Sequence, residues 1–135
     1  MRKLLALLII ALAAFIFVKA AGKDETISGY ATPGVTWTLS ELSGTPYPAR
    51  ATLTFPEEGR IAGKAPCNDY SATQNAPYPW FEAGPVAATK RACPDLPAET
   101  AFFDALARVT LAEVAGEVLI LSTEDGFEMV FRATP

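Results

Sequence analysis

Apolar and polar side chains alternate in several short stretches of this chain, and each stretch predicts a strand. Val35, Trp37 and Leu39, with Leu42 beyond them, are separated by Thr36, Thr38 and Ser40, the period of a half-buried strand. Ser43-Gly44-Thr45-Pro46 ends it. Ala51, Leu53 and Phe55 alternate with Thr52 and Thr54 in a second strand. Pro56-Glu57-Glu58-Gly59 turns this into a third, Arg60 to Gly63, as a hairpin. Near the end, Glu117 to Leu121 forms an apolar run, and Phe127, Met129 and Phe131 alternate with Glu128, Val130 and Arg132. Thr123-Glu124-Asp125-Gly126 is the turn between them, and Leu111 to Ala115 adds a further strand.

One segment has the helical period instead. Ala98, Phe102, Ala105, Leu106 and Val109 recur at three and four, with Phe103 widening the apolar face. Asp95 is placed to cap it, Pro97 suits its first turn, and Glu99 lies where a helix N-terminus favours acid. Residues 64–97 between strands and helix hold six prolines, which lack the backbone donor of a central strand, so they predict structured loops with one strand at Val86 to Thr89. Strands with a single helix imply a mainly β, α+β domain. The expected form is an antiparallel, partly barrel-like sheet with the helix packed against it.

The two ends read differently. Arg2 and Lys3 precede an uncharged run, Leu4 to Val18, that is short for a span of about 20 residues. Residues 1–21 therefore read as an export signal ending near Ala20-Ala21, or as an uncleaved inner-membrane anchor. Residues 22–34 read as a linker and 35–133 as the domain. The expected location is periplasmic, with membrane contact only through the N-terminal segment. All fifteen acids lie beyond residue 21 but only eight of eleven basic residues do, leaving a body of net charge −7. Such a surface argues against nucleic-acid binding, which needs a basic footprint.

The chain contains no histidine, which excludes histidine-based nucleophilic sites and the usual zinc sets, and no cofactor motif is present. No catalytic residue, metal ligand or cofactor is expected. The turn acids Glu57-Glu58 and Glu124-Asp125 read as solvated. The two cysteines, Cys67 and Cys93, admit a structural disulfide, a pair of buried thiols, or a redox pair with Cys93 activated by Lys90 and Arg91. Export points first to the disulfide. Asn68 can satisfy loop backbone groups, and Tyr70 can bury its ring with the hydroxyl at the surface; either could instead meet a ligand. Lys90-Arg91 reads as a solvated edge or an anion contact. Trp37, Tyr78, Trp80 and Phe81 read as core or loop plugs, or as the lining of a cleft.

Six elements in order carry a family resemblance. They are Trp37-Thr-Leu39-Ser-Glu-Leu42-Ser-Gly44, Leu53-Thr-Phe55 with Gly59-Arg-Ile61-Ala-Gly63, Cys67-Asn68-Asp-Tyr70, Thr89-Lys-Arg-Ala92-Cys93, the helix positions Glu99, Phe102 and Leu106, and Leu119-Ile-Leu121. Together they resemble the META domain family of HslJ-type heat-shock proteins, from about Val35 to Ala133. Pro66 stands where that family has glycine, and there is no lipidation cysteine. The resemblance implies a cell-envelope domain linked to heat or envelope stress and drug tolerance. With no catalytic constellation in the chain, the expected role is non-enzymatic binding of an envelope protein or ligand. One alternative is a carrier of a small apolar ligand in a cavity lined by Trp80, Phe81 and Met129. A thiol redox protein is the other.

Overall fold

The computed structural model describes residues 23–134. The expected signal or anchor, residues 1–21, lies outside the described residues. Among the described residues, nine strands and one α-helix follow one another: β1 (Thr36–Leu42), β2 (Thr45–Pro46), β3 (Thr52–Leu53), β4 (Arg60–Lys64), β5 (Asp69–Thr73), β6 (Ala87–Ala88), α1 (Leu96–Arg108), β7 (Leu111–Ala115), β8 (Val118–Ser122) and β9 (Glu128–Thr134). Six of them form one sheet in the order β2-β1-β9-β8-β7, with β3 also paired to β1, and β4-β5-β6 form a second. Every pairing is antiparallel. The mainly β architecture with one helix is the one expected, but the sheets do not close into a barrel.

Alternation sets which side chains enter the core. Leu39 pairs with Phe131 and Phe131 with Leu119, while Met129 pairs with Leu121 and Leu121 with Ala112; all of these are buried. They share the core with Trp37, Leu53, Ile61, Tyr70 and the helix residues Phe102, Ala105, Leu106 and Val109. Ring centroids of Phe102 and Phe103 each lie 5.5 Å from that of Tyr70, edge to face, which docks α1 on β5. The turn between β1 and β2 has Ser43 at φ 52° and Gly44 at φ 78°. Both positive angles are those of a two-residue type I′ hairpin, which glycine adopts without strain.

The hairpin expected between residues 51–55 and 60–63 is reduced to a single bridge, Thr54 to Ala62. Thr52 and Leu53 spend their ladder groups on β1, and side chains replace the missing rungs. The Lys64 N–H donates to Thr52 Oγ1 at 2.9 Å, and the Tyr70 hydroxyl donates to the Thr52 carbonyl at 2.6 Å. A Cβ on Gly63 would stand 2.1 Å from that carbonyl oxygen, so only glycine lets the strands approach. The Tyr70 hydroxyl is thus interior, not at the surface as expected, and burial pushes its pKa well up.

Two further expectations change. Asp95 precedes α1 but its side chain makes no cap bond. Residues 23–34, read as part of a linker, contain a 3-10 turn, Ile27–Gly29, and Thr26, Ile27 and Ala31 are buried against the domain.

Candidate functional site

Five residues of the family motifs, Cys67, Asn68, Thr89, Cys93 and Glu99, meet in one clasp around the buried Asn68 and Glu99. Glu99 lies three residues before Phe102 on the same face of α1, so the packing that buries Phe102 also buries the carboxyl, 4 % exposed. Its Oε1 accepts the backbone N–H groups of Cys67 (3.1 Å) and Asn68 (2.8 Å), and its Oε2 accepts Asn68 Nδ2 at 2.7 Å. Asn68 Nδ2 also donates to the Arg91 carbonyl (3.0 Å). Asn68 Oδ1 accepts the Thr89 hydroxyl (2.9 Å) and the Arg91 N–H (2.5 Å). All four hydrogen-bonding positions of the Asn68 amide are therefore filled. Cys67 and Cys93 form a disulfide across the same joint, with Cα atoms 5.6 Å apart.

The clasp unites Cys67, Asn68, Thr89, Cys93 and the Arg91 backbone with Glu99 of the helix. The Arg91 side chain pairs at the surface with Asp69 at 3.3 Å, and Lys90 is exposed. Beside the clasp, the Tyr47 hydroxyl donates to the Ala98 carbonyl at 2.7 Å. Burial, and then the carboxylates of Glu99 and Asp95, push its pKa up to about 12. A raised tyrosine value means that the unfolded chain ionises first, near pH 10. Stability should be intact below about pH 10 and fall as pH rises toward about 12. Tyr47→Phe should flatten part of that fall, with Tyr70 supplying the remainder, as read from urea midpoints at alkaline pH.

The second group, Tyr78, Trp80 and Phe81, is carried on a loop held at many points. Pro77, Tyr78, Pro79 and Trp80 make a turn with a cis Tyr78-Pro79 bond, closed by the Trp80 N–H donating to the Pro77 carbonyl at 2.8 Å. The loop lies along the edge of β7. The Ala112 N–H donates to the Pro79 carbonyl (2.8 Å), the Phe81 N–H to the Thr110 carbonyl (2.9 Å), and the Val114 N–H to the Tyr78 hydroxyl (3.0 Å). Tyr78 stacks on Tyr30 at 4.4 Å, and Thr26 bridges to Pro77. Gln74, only 1 % exposed, ties the base: its Oε1 accepts the N–H groups of Ala76 and Glu82, and its Nε2 donates to the Ala76 carbonyl.

This anchoring presents Trp80 at 51 % exposure. It borders an open cleft of about 850 Å³ whose other walls are the end of α1 (Ala107 to Val109) and the turn at 123–125. Phe81, 2 % exposed, lies beneath it. Met129 is in the core and does not line the cleft, so the expected cavity of Trp80, Phe81 and Met129 is not formed. Trp37 is a core residue whose buried Nε1–H has no partner. Across the cleft, Arg108 pairs with Asp125 at 3.6 Å and stacks 4.2 Å over the Phe127 ring. The Thr123 hydroxyl, and more weakly Arg108, hold the Asp125 carboxyl below its ordinary value.

Sequence reasoning missed Gln74 and the role of Glu99, although both carried a signal. Gln74 continues the inward alternation of Tyr70 and Ala72, and Glu99 falls on the apolar stripe of its helix. A polar side chain at an interior position predicts a buried network. Among the described residues no group of three or more acidic or cysteine side chains could hold a metal ion.

The model of the META domain matches residues 31–135. Among solved structures, an NMR structure of a protein from Burkholderia xenovorans is 20 % identical and covers 74 % of this chain and 81 % of its own, with a TM-score of 0.57. The crystal structure of a DUF4847 family protein from Bacteroides vulgatus is 13 % identical, covering 84 % and 94 %, also at 0.57. At those identities the likeness is one of fold. A search of curated proteins finds no match.

Proposed function

The chain belongs to the META domain family, and from that premise we propose that it is a non-enzymatic binding domain of the cell envelope. It engages a partner protein through the Trp80 cleft in support of heat, envelope-stress or drug tolerance. The observation that carries this reading is the indole of Trp80, half exposed on a loop that is otherwise tied down at every turn. An aromatic side chain held in advance in open solvent loses little freedom on binding and brings a large contact area, the property of an interface anchor. The clasp supports the same reading, because the side-chain amide of Asn68 and both carboxyl oxygens of Glu99 are engaged in holding loop to helix. The disulfide supports an oxidising, exported setting.

Trp80→Ala tests the proposal. It should leave the melting temperature within a few degrees of wild type, since surface changes usually cost less than about 0.5 kcal/mol. It should nevertheless fail to restore heat or antibiotic tolerance to a strain lacking the protein. Full complementation by that variant would refute the cleft as the working surface. The intact mass of the protein recovered from the envelope gives the cleavage site and reports the disulfide.

A further inference from the structure

We infer that the Trp80 cleft receives a lysine- or arginine-bearing segment of a partner polypeptide; this rests on the cleft being the working surface. Three acids line it, Glu82, Glu124 and Asp125, against one base, Arg108. That base is already committed, to the Asp125 carboxylate on one side and the Phe127 ring on the other. Glu82 and Glu124 are exposed, and among the described residues neither has a cation within 4.0 Å. The cleft therefore keeps two uncompensated negative charges next to an exposed indole. An indole face attracts ammonium and guanidinium groups through its quadrupole, by about 0.5–1 kcal/mol at an exposed site.

Charge at larger range acts in the same direction, since the body beyond residue 21 carries −7. Such a field raises the encounter rate of a basic partner and repels an acidic one. The apolar part of the site suits the aliphatic stem of lysine or arginine, which packs along aromatic surface while its charged end stays in water. Ala76 and Ala107 supply that surface beside Trp80, over a floor of buried Phe81 and Val109. The open shape fits an extended chain laid across the cleft better than an enclosed small molecule.

The test uses the full-length protein and three capped hexapeptides, alternating leucine with lysine, glutamine or glutamate. Trp37 is 1 % exposed, so a change in tryptophan emission on binding reports Trp80. The lysine peptide should bind, weaken as salt is raised, and lose affinity roughly fivefold in the double variant Glu82→Gln/Glu124→Gln, the sum expected for two exposed charge pairs. The glutamate peptide should not bind. Equal binding of the lysine peptide to wild type and the double variant would mean general attraction to an acidic body and would overturn the inference. A glutamine peptide that binds as tightly would overturn the cationic class while leaving the cleft as the working surface. If no peptide alters the emission and Trp80→Ala complements fully, the cleft itself is abandoned.

Discussion

Glu99→Ala is expected to cost about 3–5 kcal/mol and lower the melting temperature by roughly 15–30 °C, the largest effect of any single substitution outside the apolar core. Three donors lose their acceptor at once: the backbone N–H groups of Cys67 and Asn68 and the amide of Asn68. Hydrogen bonds to a charged group contribute about 1.5–3 kcal/mol each, and a buried donor left unpaired costs a similar amount. A domain of this size has only about 5–15 kcal/mol in total.

Glu99→Gln separates this account from simple loss of packing. Its shape is kept and one oxygen remains for the backbone donors, but its amide N–H2 would face Asn68 Nδ2, donor against donor. Flipping the Asn68 amide to meet it would turn a second donor toward the Arg91 N–H. The cost should be about 2 kcal/mol. Urea denaturation that found both variants within error of wild type would remove Glu99 from its place at the centre of the clasp.

Removal of the disulfide is the second large effect. Cys67 and Cys93 are 26 residues apart, so the closed loop restricts the unfolded chain by about 3–4 kcal/mol on the entropy model. The double variant Cys67→Ser/Cys93→Ser should lose that amount, and reduced wild type should match it. The cross-link and Glu99 hold the same short segment, because Glu99 bonds the N–H of Cys67 itself. Adding Glu99→Ala to the serine pair should cost less than the sum of the separate losses, with a coupling of about 0.5–3 kcal/mol. Strict additivity would show that bond and carboxylate act independently. A reduced protein as stable as the oxidised one would remove the disulfide from the structural frame and restore the redox reading.

What could be read from the sequence follows the range of the forces involved. The period of two in Trp37, Leu39, Met129 and Phe131, and of three and four in Phe102, Ala105 and Leu106, is written in local order, and those strands and that helix are where the spacing puts them. The Cys67–Cys93 bond is likewise present. Beyond that, partners remote in the chain decide the outcome. Residues 52–53 pair with β1 and only Thr54 bridges to Ala62, while Thr52 accepts from Lys64 and Tyr70, an arrangement that no local pattern states. Ile27 is a single apolar residue among polar ones, too little for a periodicity, yet it is buried. Closure of the sheet depends on strand number and stagger around the whole fold, and here it fails. Of the candidate site, the aromatic trio was visible as a cluster. Only the three-dimensional loop distinguishes Phe81, which is inside, from Trp80, which is out.

The loop that displays Trp80 has another consequence through its contact with β7. An open sheet ends in a row of backbone groups that can template a strand from a second chain. On this side the Pro79 carbonyl and the Tyr78 hydroxyl already occupy the Ala112 and Val114 donors. The segment that carries the proposed recognition side chain therefore also covers part of the β7 edge, and the two features fall on different atoms. Trp80 contributes only its outward side chain to the proposed surface, so its exchange should leave the edge covered. Tyr78 and Pro79 cover the edge, and Tyr78→Phe would leave the Val114 donor open to a second chain.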